Sequence, residues 1–562
     1  MALEEAERRR RRTTIPNMEA TSSTTRAAWQ KKMIFQGHHG QDRLDQNWSS
    51  VIEELQNVSA APLEKKFRDL LISHSIAPIE LEPLITKQHK TIVDGDAIDI
   101  VAKDDGIQPA ELKIWPVELI PRKAVTELQS TTEHMIASGC LQECLRAYKS
   151  VRKSVVNASF QSLGIENDVQ AFEGLAIPES KLRERVRAAR DFMRILLPSE
   201  KKLCKQIFAG IDEMDACFWE ITEGPVIQLL NFAKLMGSRE RSPENLFQFL
   251  ELHEALMDLL LDIKMIFYSK LADPIPILAV EVSSTLAKAA REAFSAFENE
   301  VLHWHPESPD LAGGNIHPST RYVMKCVRLM IFDHKKTLTE LITWKPSTGS
   351  MHAEPSSTDF PELEGKDPLG IHLLWIIVVL QFNLEGKSIH CNDASLAHLF
   401  MMNNCHYIVQ KIEGCQELKD TIGEYYLRKL TGKCWRASRN YQRTTLAGLL
   451  HCFRGEGLLV SGSSSSGVSK VALRERMKTF NAMFDKVHRT QATWFVPDNQ
   501  LREELRISIN EKLIQAYRMF IGLYCNHMKV NYIKYTAEDL ENAVFDLFEG
   551  SHPQGRGDSE GA

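Results

Sequence analysis

The stretch Phe249-Leu-Glu-Leu-His-Glu-Ala-Leu-Met-Asp-Leu-Leu-Leu-Asp-Ile-Lys-Met-Ile266 decides how this chain folds. Phe249, Leu252, Leu256, Leu259, Ile263 and Ile266 advance by alternating steps of three and four. A turn of 3.6 residues gathers all six into one narrow apolar stripe, the seam along which a helix packs on another helix. Ser242 and Pro243, just upstream, are residue types that cap and open a helix.

The same period recurs in both directions. Leu63, Phe67, Leu70 and Leu71 fall on one helical face, as do Leu473, Met477, Phe480, Phe484 and Val487. Leu540, Val544, Leu547 and Phe548 repeat it, preceded by the capping-box pair Thr536 and Asp539 and closed by Gly550. Strand signals are almost absent: Ile92 to Val101 is β-branched, but its aspartates and glycine favour a loop.

The reading is therefore an all-α protein, an elongated rod of consecutive antiparallel helical bundles. A chain of 562 residues exceeds one hydrophobic core. Its punctuation divides it into a disordered basic and polar tail at 1–48, an N-terminal helical region at 49–170 and a middle bundle at 171–305. A third bundle follows at 315–460 with a polar loop near 346–368, then a C-terminal bundle with a basic surface at 468–550 and a disordered tail at 551–562. Ser461 to Gly467 reads as a Gly/Ser linker. No fixed-length repeat marks a solenoid.

Eleven scattered cysteines, an odd number, do not form a disulfide framework. No apolar segment follows the arginine run Arg8 to Arg12, so no secretory signal is expected. The most apolar run, Ile371 to Phe382, is shorter than the roughly 20 residues that span a bilayer. These features point to a reduced, cytoplasmic setting.

Catalytic chemistry finds no foothold. The chain has no phosphate-cradling glycine loop, zinc-protease helix or nucleophile elbow. Cys140 and Cys144 share a helix face without two further ligands, and His390-Cys391 and Cys405-His406 belong to different helices, so no metal and no cofactor are expected. Between Lys470 and Thr536, however, twelve bases face six acids, a net +6 inside a chain of net −6. That polarity suits an anionic bilayer, at about 1 kcal/mol per well-placed base. Helix surfaces are charged in any case, and many such bases pair with neighbouring acids. No RNA or DNA module accompanies the basic segment, so nucleic acid is not an expected partner.

Longer signatures go further. The segment Asp393-Ala-Ser-Leu-Ala-His-Leu-Phe-Met-Met-Asn-Asn-Cys-His-Tyr-Ile-Val-Gln-Lys-Ile412 resembles a signature of the plant exocyst seventy-kilodalton subunit family. His317-Pro-Ser-Thr-Arg-Tyr-Val-Met324, Leu473 to Phe484, Pro497 to Tyr517 and Asn531-Tyr-Ile-Lys-Tyr535 through Gly550 are similar in consistent order, as is Glu143 to Ser154. The likeness runs from about Leu63 to Gly550.

The resemblance implies a non-enzymatic rod that works in the exocyst, tethering secretory vesicles to the plasma membrane before fusion. It implies other exocyst subunits, anionic plasma-membrane lipid and small GTPases as partner classes, and a cytoplasmic protein recruited peripherally to that membrane. It also implies phosphatidylinositol 4,5-bisphosphate binding by the C-terminal end. The matching positions are Lys534, in the Tyr-Ile-Lys-Tyr motif, Lys529 before it, and Arg506 and Lys512 in the preceding helix.

Apart from the resemblance, Leu399, Phe400, Met402, Tyr407, Ile408 and Val409 make a nearly all-apolar core helix, in which Asn403 and Asn404 need partners that tie neighbouring helices together. One departure from the family stands out. Before Leu63 only Val51, Ile52, Leu55 and Val58 form a brief apolar face, too few heptads for a coiled coil. The alternative expectation is a divergent helical scaffold for protein interactions, for example immunity-related, outside the full complex.

Overall fold

The computed structural model describes residues 61–75, 114–162, 164, 178–268, 273–304, 311–343, 367–462 and 465–550. Both expected tails, the stretch 92–101 and most of the polar loop near 346–368 lie outside them. The described residues are helical apart from one hairpin, an isolated bridge between Phe495 and Glu549, and connecting turns. They form two compact units, residues 1–239 with 247–287, and residues 240–246 with 288–562.

The first unit contains α1 (residues 61–74), α2 (Arg122–Ala137), α3 (Leu141–Ser162), α4 (Glu179–Asp191), α5 (Leu197–Ile207), α6 (Met214–Gly237) and α7 (Leu246–Ile266). All six residues of the α7 seam are buried, each contributing about 1.5–3 kcal/mol relative to exposure. Its start differs from expectation. Pro243–Asn245 is a 3-10 turn, and the Ser242 hydroxyl accepts from the Asn245 side chain at 3.2 Å instead of capping the helix. Between α4 and α5 the chain widens into a buried π turn, Phe192–Leu196. Pro198 cannot donate to the Arg194 carbonyl four residues back; Trp115 N–H takes that carbonyl at 2.9 Å. The Arg194 side chain holds α7 through Asp262 at 2.7 Å and Asp258 at 3.1 Å.

In the second unit, beyond α8 (Pro274–Leu302), which crosses from one unit to the other, lie α9 (Pro318–Phe332), α10 (Lys335–Thr343), α11 (Pro368–Ile389), α12 (Ala394–Glu413), α13 (Gln416–Ile422) and α14 (Glu424–His451). The apolar run at 371–382 is part of a helix of 22 residues, long and apolar enough to cross a membrane by length and composition. Its Leu373, Ile377, Leu380 and Leu384 are buried in the core.

Helix α12 is the hub of this unit. Asp393 caps it through Ser395 N–H at 2.9 Å and Leu396 N–H at 3.1 Å. Asn403 donates to the carbonyls of Gly314 at 2.7 Å and Phe495 at 3.0 Å. Asn404 accepts from His317 N–H at 2.9 Å and from the Thr320 hydroxyl at 2.7 Å. The two buried asparagines thus tie the segment before α9 and the segment before the last long helix to one core helix. Gly314 has a φ of +86°, and a Cβ there would meet Leu399 at 2.9 Å, so only glycine allows this approach.

The segment read as a linker is a hairpin. Strand β1 (Leu459–Gly462) pairs antiparallel with β2 (Ser465–Val468), Leu459 opposite Val468. The Ser469 N–H bond to the Leu458 carbonyl at 2.8 Å closes its base, and β-favouring residues at the strand ends outweigh the flexible Gly/Ser middle. Helices α15 (Lys470–Gln491), α16 (Asn499–Tyr524) and α17 (Ala537–Phe545) complete the unit.

The Thr536–Asp539 capping box is present, with both bonds made at 2.8–3.0 Å. Helix α17 nevertheless stops before Leu547 and Phe548, which the periodicity assigned to it. Phe548 takes a φ of +69° so that its carbonyl reaches Val496 N–H at 3.2 Å, while its ring stays buried.

Candidate functional site

The basic surface is built on α15, α16 and the turns that follow α16. Ser469 caps α15 by accepting from Ala472 N–H at 3.2 Å. The helix buries Leu473, Met477, Phe480 and Phe484, so its 3.6-residue period turns Arg474, Lys478, Lys486 and Arg489 to solvent. Asp498 caps α16 through Leu501 N–H at 2.8 Å. Although burial pushes the Asp498 carboxyl up, the backbone and Gln410 bonds outweigh it, and its pKa is lowered overall.

Two 3-10 turns, Cys525–His527 and Val530–Tyr532, carry the chain from α16 to α17. An aromatic cluster fixes what lies beneath. Phe453 packs on Phe480 with centroids 4.7 Å apart, and Phe520 on Tyr524 at 5.0 Å. Tyr517 donates its hydroxyl to the Tyr535 carbonyl, Asn481 donates to the Tyr532 carbonyl at 3.3 Å, and the Arg474 guanidinium lies 5.4 Å from the Tyr532 ring centroid. The turn is therefore clamped to α15, with Lys529 and Val530 exposed on it, Val530 at 81%.

Lys534, 51% exposed, sits 2.6 Å from Asp485 of α15, and its Nζ lies 4.9 Å from the Tyr535 ring centroid. Its pKa is raised, first by the Asp485 bond and then by Tyr535. Lys529 makes no ion pair among the described residues.

The four residues picked from the sequence do not form one cluster. Lys529 and Lys534 share the turn. Lys512 is exposed on α16 and donates to Gln442 of α14. Arg506 is buried: Nε donates to the Leu547 carbonyl at 3.1 Å, and the guanidinium pairs with Glu503 at 2.7 Å and Glu549 at 2.6 Å. It stands about 27 Å along the helix from Tyr524 at 1.5 Å per residue, and its charge is directed to the chain that closes the fold. Asp485, which fixes Lys534, was not legible in the sequence, because 49 positions separate the two.

Other clusters single out no chemistry. Among the described residues no group of three or more His, Cys, Asp or Glu side chains could hold a metal ion. Cys140 and Cys144 are buried free thiols, and burial pushes Cys144 up to about 11. Trp304 packs on His317 with centroids 4.6 Å apart; His305 lies outside the described residues.

An all-helical protein with a clamped basic end and no catalytic constellation among the described residues is the class these observations define. A family model for the C-terminal region of the Exo70 exocyst complex subunits matches residues 183–546. Exocyst complex component EXO70A1 of Arabidopsis thaliana is 32% identical over 507 residues, covering 87% of this chain and 77% of that protein. Component EXO70E2 of the same plant is 32% identical over 516 residues, 88% of this chain and 76% of that protein. A solved structure of Saccharomyces cerevisiae Exo70 aligns over 91% of this chain and 90% of that chain, with 15% identity and a TM-score of 0.45. The chain belongs to the Exo70 family of exocyst complex subunits.

Proposed function

We propose that this chain works as an exocyst subunit in vesicle tethering, and that it meets the plasma membrane through the Lys529–Lys534 end of its second unit. Family membership supports the first part and makes other exocyst subunits its protein partners. The second part rests on one observation: Lys529 and Lys534 are displayed on a single clamped turn, beside the exposed Val530.

A phosphoinositide headgroup offers several anionic oxygens in a small volume. Lys529 meets it as a point charge, and Lys534 exchanges the Asp485 carboxylate for phosphate. Val530 adds a small apolar contact at the interface. Each base at the membrane is worth about 1 kcal/mol, so the affinity is modest and salt-sensitive. Recruitment from the cytoplasm is then peripheral and reversible.

The test is vesicle flotation with and without phosphatidylinositol 4,5-bisphosphate, comparing wild type with Lys529→Glu/Lys534→Gln. Lipid-dependent flotation that the double variant loses, with an unchanged thermal melt, supports the reading. A wild type that stays with the soluble fraction, or a variant that floats equally, overturns it.

A further inference from the structure

Helix α11 lies between two neighbours that hold it by its flanks. His372 Nδ1 is 2.6 Å from Glu298 Oε1 and Asn383 donates to the Val301 carbonyl at 2.6 Å, both on α8. On the other flank Lys433 of α14 is 2.9 Å from Glu385. The inward face fills the core. A helix so placed would ordinarily turn a polar face to solvent.

The outward face of α11 is instead apolar apart from Glu385, which falls at the seam position between Phe382 and Ile389 and is paired with Lys433. Ile371, Trp375, Val378, Phe382 and Ile389 follow one another by four, three, four and seven residues, the spacing of a heptad seam. None belongs to the buried core; Phe382 is 63% exposed and Ile389 79%. Beside them Gly386 has open space where a Cβ would point. The stripe extends about 27 Å at 1.5 Å per residue. One helix in width and five turns in length, it fits a second helix laid along it.

The neighbouring helix specifies the charge of that occupant. Six bases and a single acid lie along α14. Arg428, Lys429, Arg436, Arg439 and Arg443 are exposed. A basic bank beside an apolar seam selects an acidic flank on the incoming helix and fixes its orientation. A second copy of this chain docking by the same face would bring the same basic bank and no acidic complement to it.

We propose that the outward face of α11 docks an amphipathic helix with an acidic flank, supplied by another protein chain of the complex to which this family belongs. The surface is separate from the Lys529–Lys534 turn, and the proposal depends on family membership, not on lipid binding.

The experiment uses the full chain and the other exocyst subunits, purified individually, with affinities measured by biolayer interferometry. Phe382→Asp, a surface change, is compared with Phe332→Asp, an equally exposed phenylalanine on α9, and with Arg436→Glu. A photo-crosslinking side chain at position 382 maps the contact. The expected result is a subunit whose affinity falls about tenfold or more in Phe382→Asp, falls also in Arg436→Glu, and holds in Phe332→Asp. The crosslink then lies in an amphipathic helix with acidic flanking residues. Undiminished binding of every subunit by Phe382→Asp overturns the proposal. So do loss of vesicle flotation alone, which would make the stripe a membrane contact, and a wild-type dimer that Phe382→Asp dissolves, which would make it a self-association face.

Discussion

Lys534 Nζ lies 2.6 Å from Asp485 Oδ2, and Tyr535 donates its hydroxyl to the other oxygen of the same carboxylate. Burial pushes Asp485 up, but the two hydrogen bonds outweigh it and its pKa is lowered. One carboxylate therefore orients Lys534 and Tyr535, the last two residues of the Tyr-Ile-Lys-Tyr motif, and competes with any anion for Lys534. Exchanging Asp485 for asparagine keeps a hydrogen-bond acceptor while removing the competing charge. An exposed pair of this kind is worth about 0.5 kcal/mol. The expectation for Asp485→Asn is a melt lowered by only a degree or two and stronger flotation on phosphoinositide vesicles, read in the assay above.

Arg506 has the opposite character. It is buried, and its guanidinium serves the Leu547 carbonyl and Glu549 at the end of the fold. Removing a charge-assisted hydrogen bond of this kind costs about 1.5–3 kcal/mol. Arg506→Ala should lower the unfolding free energy by that amount, seen as a lower denaturant midpoint, with faster proteolysis after α17, and leave vesicle binding intact wherever the protein is folded. Loss of vesicle binding without loss of stability would return Arg506 to the surface set.

In the first unit, Arg152 of α3 pairs with Glu200 of α5 at 2.6 Å, both side chains fully buried, and Tyr148 donates its hydroxyl to the same carboxylate at 3.0 Å. Breaking a buried pair strands the remaining charge, at about 3–5 kcal/mol. Glu200→Leu should therefore destabilise severely in urea, whereas Arg152→Leu/Glu200→Leu should recover much of the loss. A double variant as unstable as the single one would assign the cost to packing instead.

His317 caps α9 by accepting from Ser319 N–H at 3.2 Å, which requires the neutral ring. Burial, and then Lys387, lowers its pKa from 6.5 to about 4. The unfolded chain thus takes up a proton at a higher pH than the folded one. This contribution to stability is complete above pH 6.5 and is lost progressively as pH falls towards about 4. His317→Asn, which retains a capping side chain, should flatten the fall in urea midpoint across that range.

The helical fold was legible because seams such as Phe249 to Ile266 state their period outright. The partners of Asn403 and Asn404 were foreseeable in kind, since a buried amide must be satisfied, though not in identity. Other features were hidden by long-range geometry. A backbone bond to Leu458 organises a Gly/Ser stretch into a hairpin. Phe548 leaves the helical stripe because its carbonyl is required by Val496. Charge counting found the basic segment but could not separate Lys529, displayed on a turn, from Arg506, turned inward. The outward seam of α11 was concealed by its own hydrophobicity, because an all-apolar run reads as core whichever face is covered.

The most direct measurement is hydrogen exchange of the intact protein with vesicles that contain or lack phosphatidylinositol 4,5-bisphosphate. Slowed exchange confined to residues 525–536 and the adjoining turn of α15, dependent on the phosphoinositide and reversed by salt, is the predicted result. Protection that falls elsewhere, or none at any lipid composition, would contradict a membrane-reading end at the Lys529–Lys534 turn.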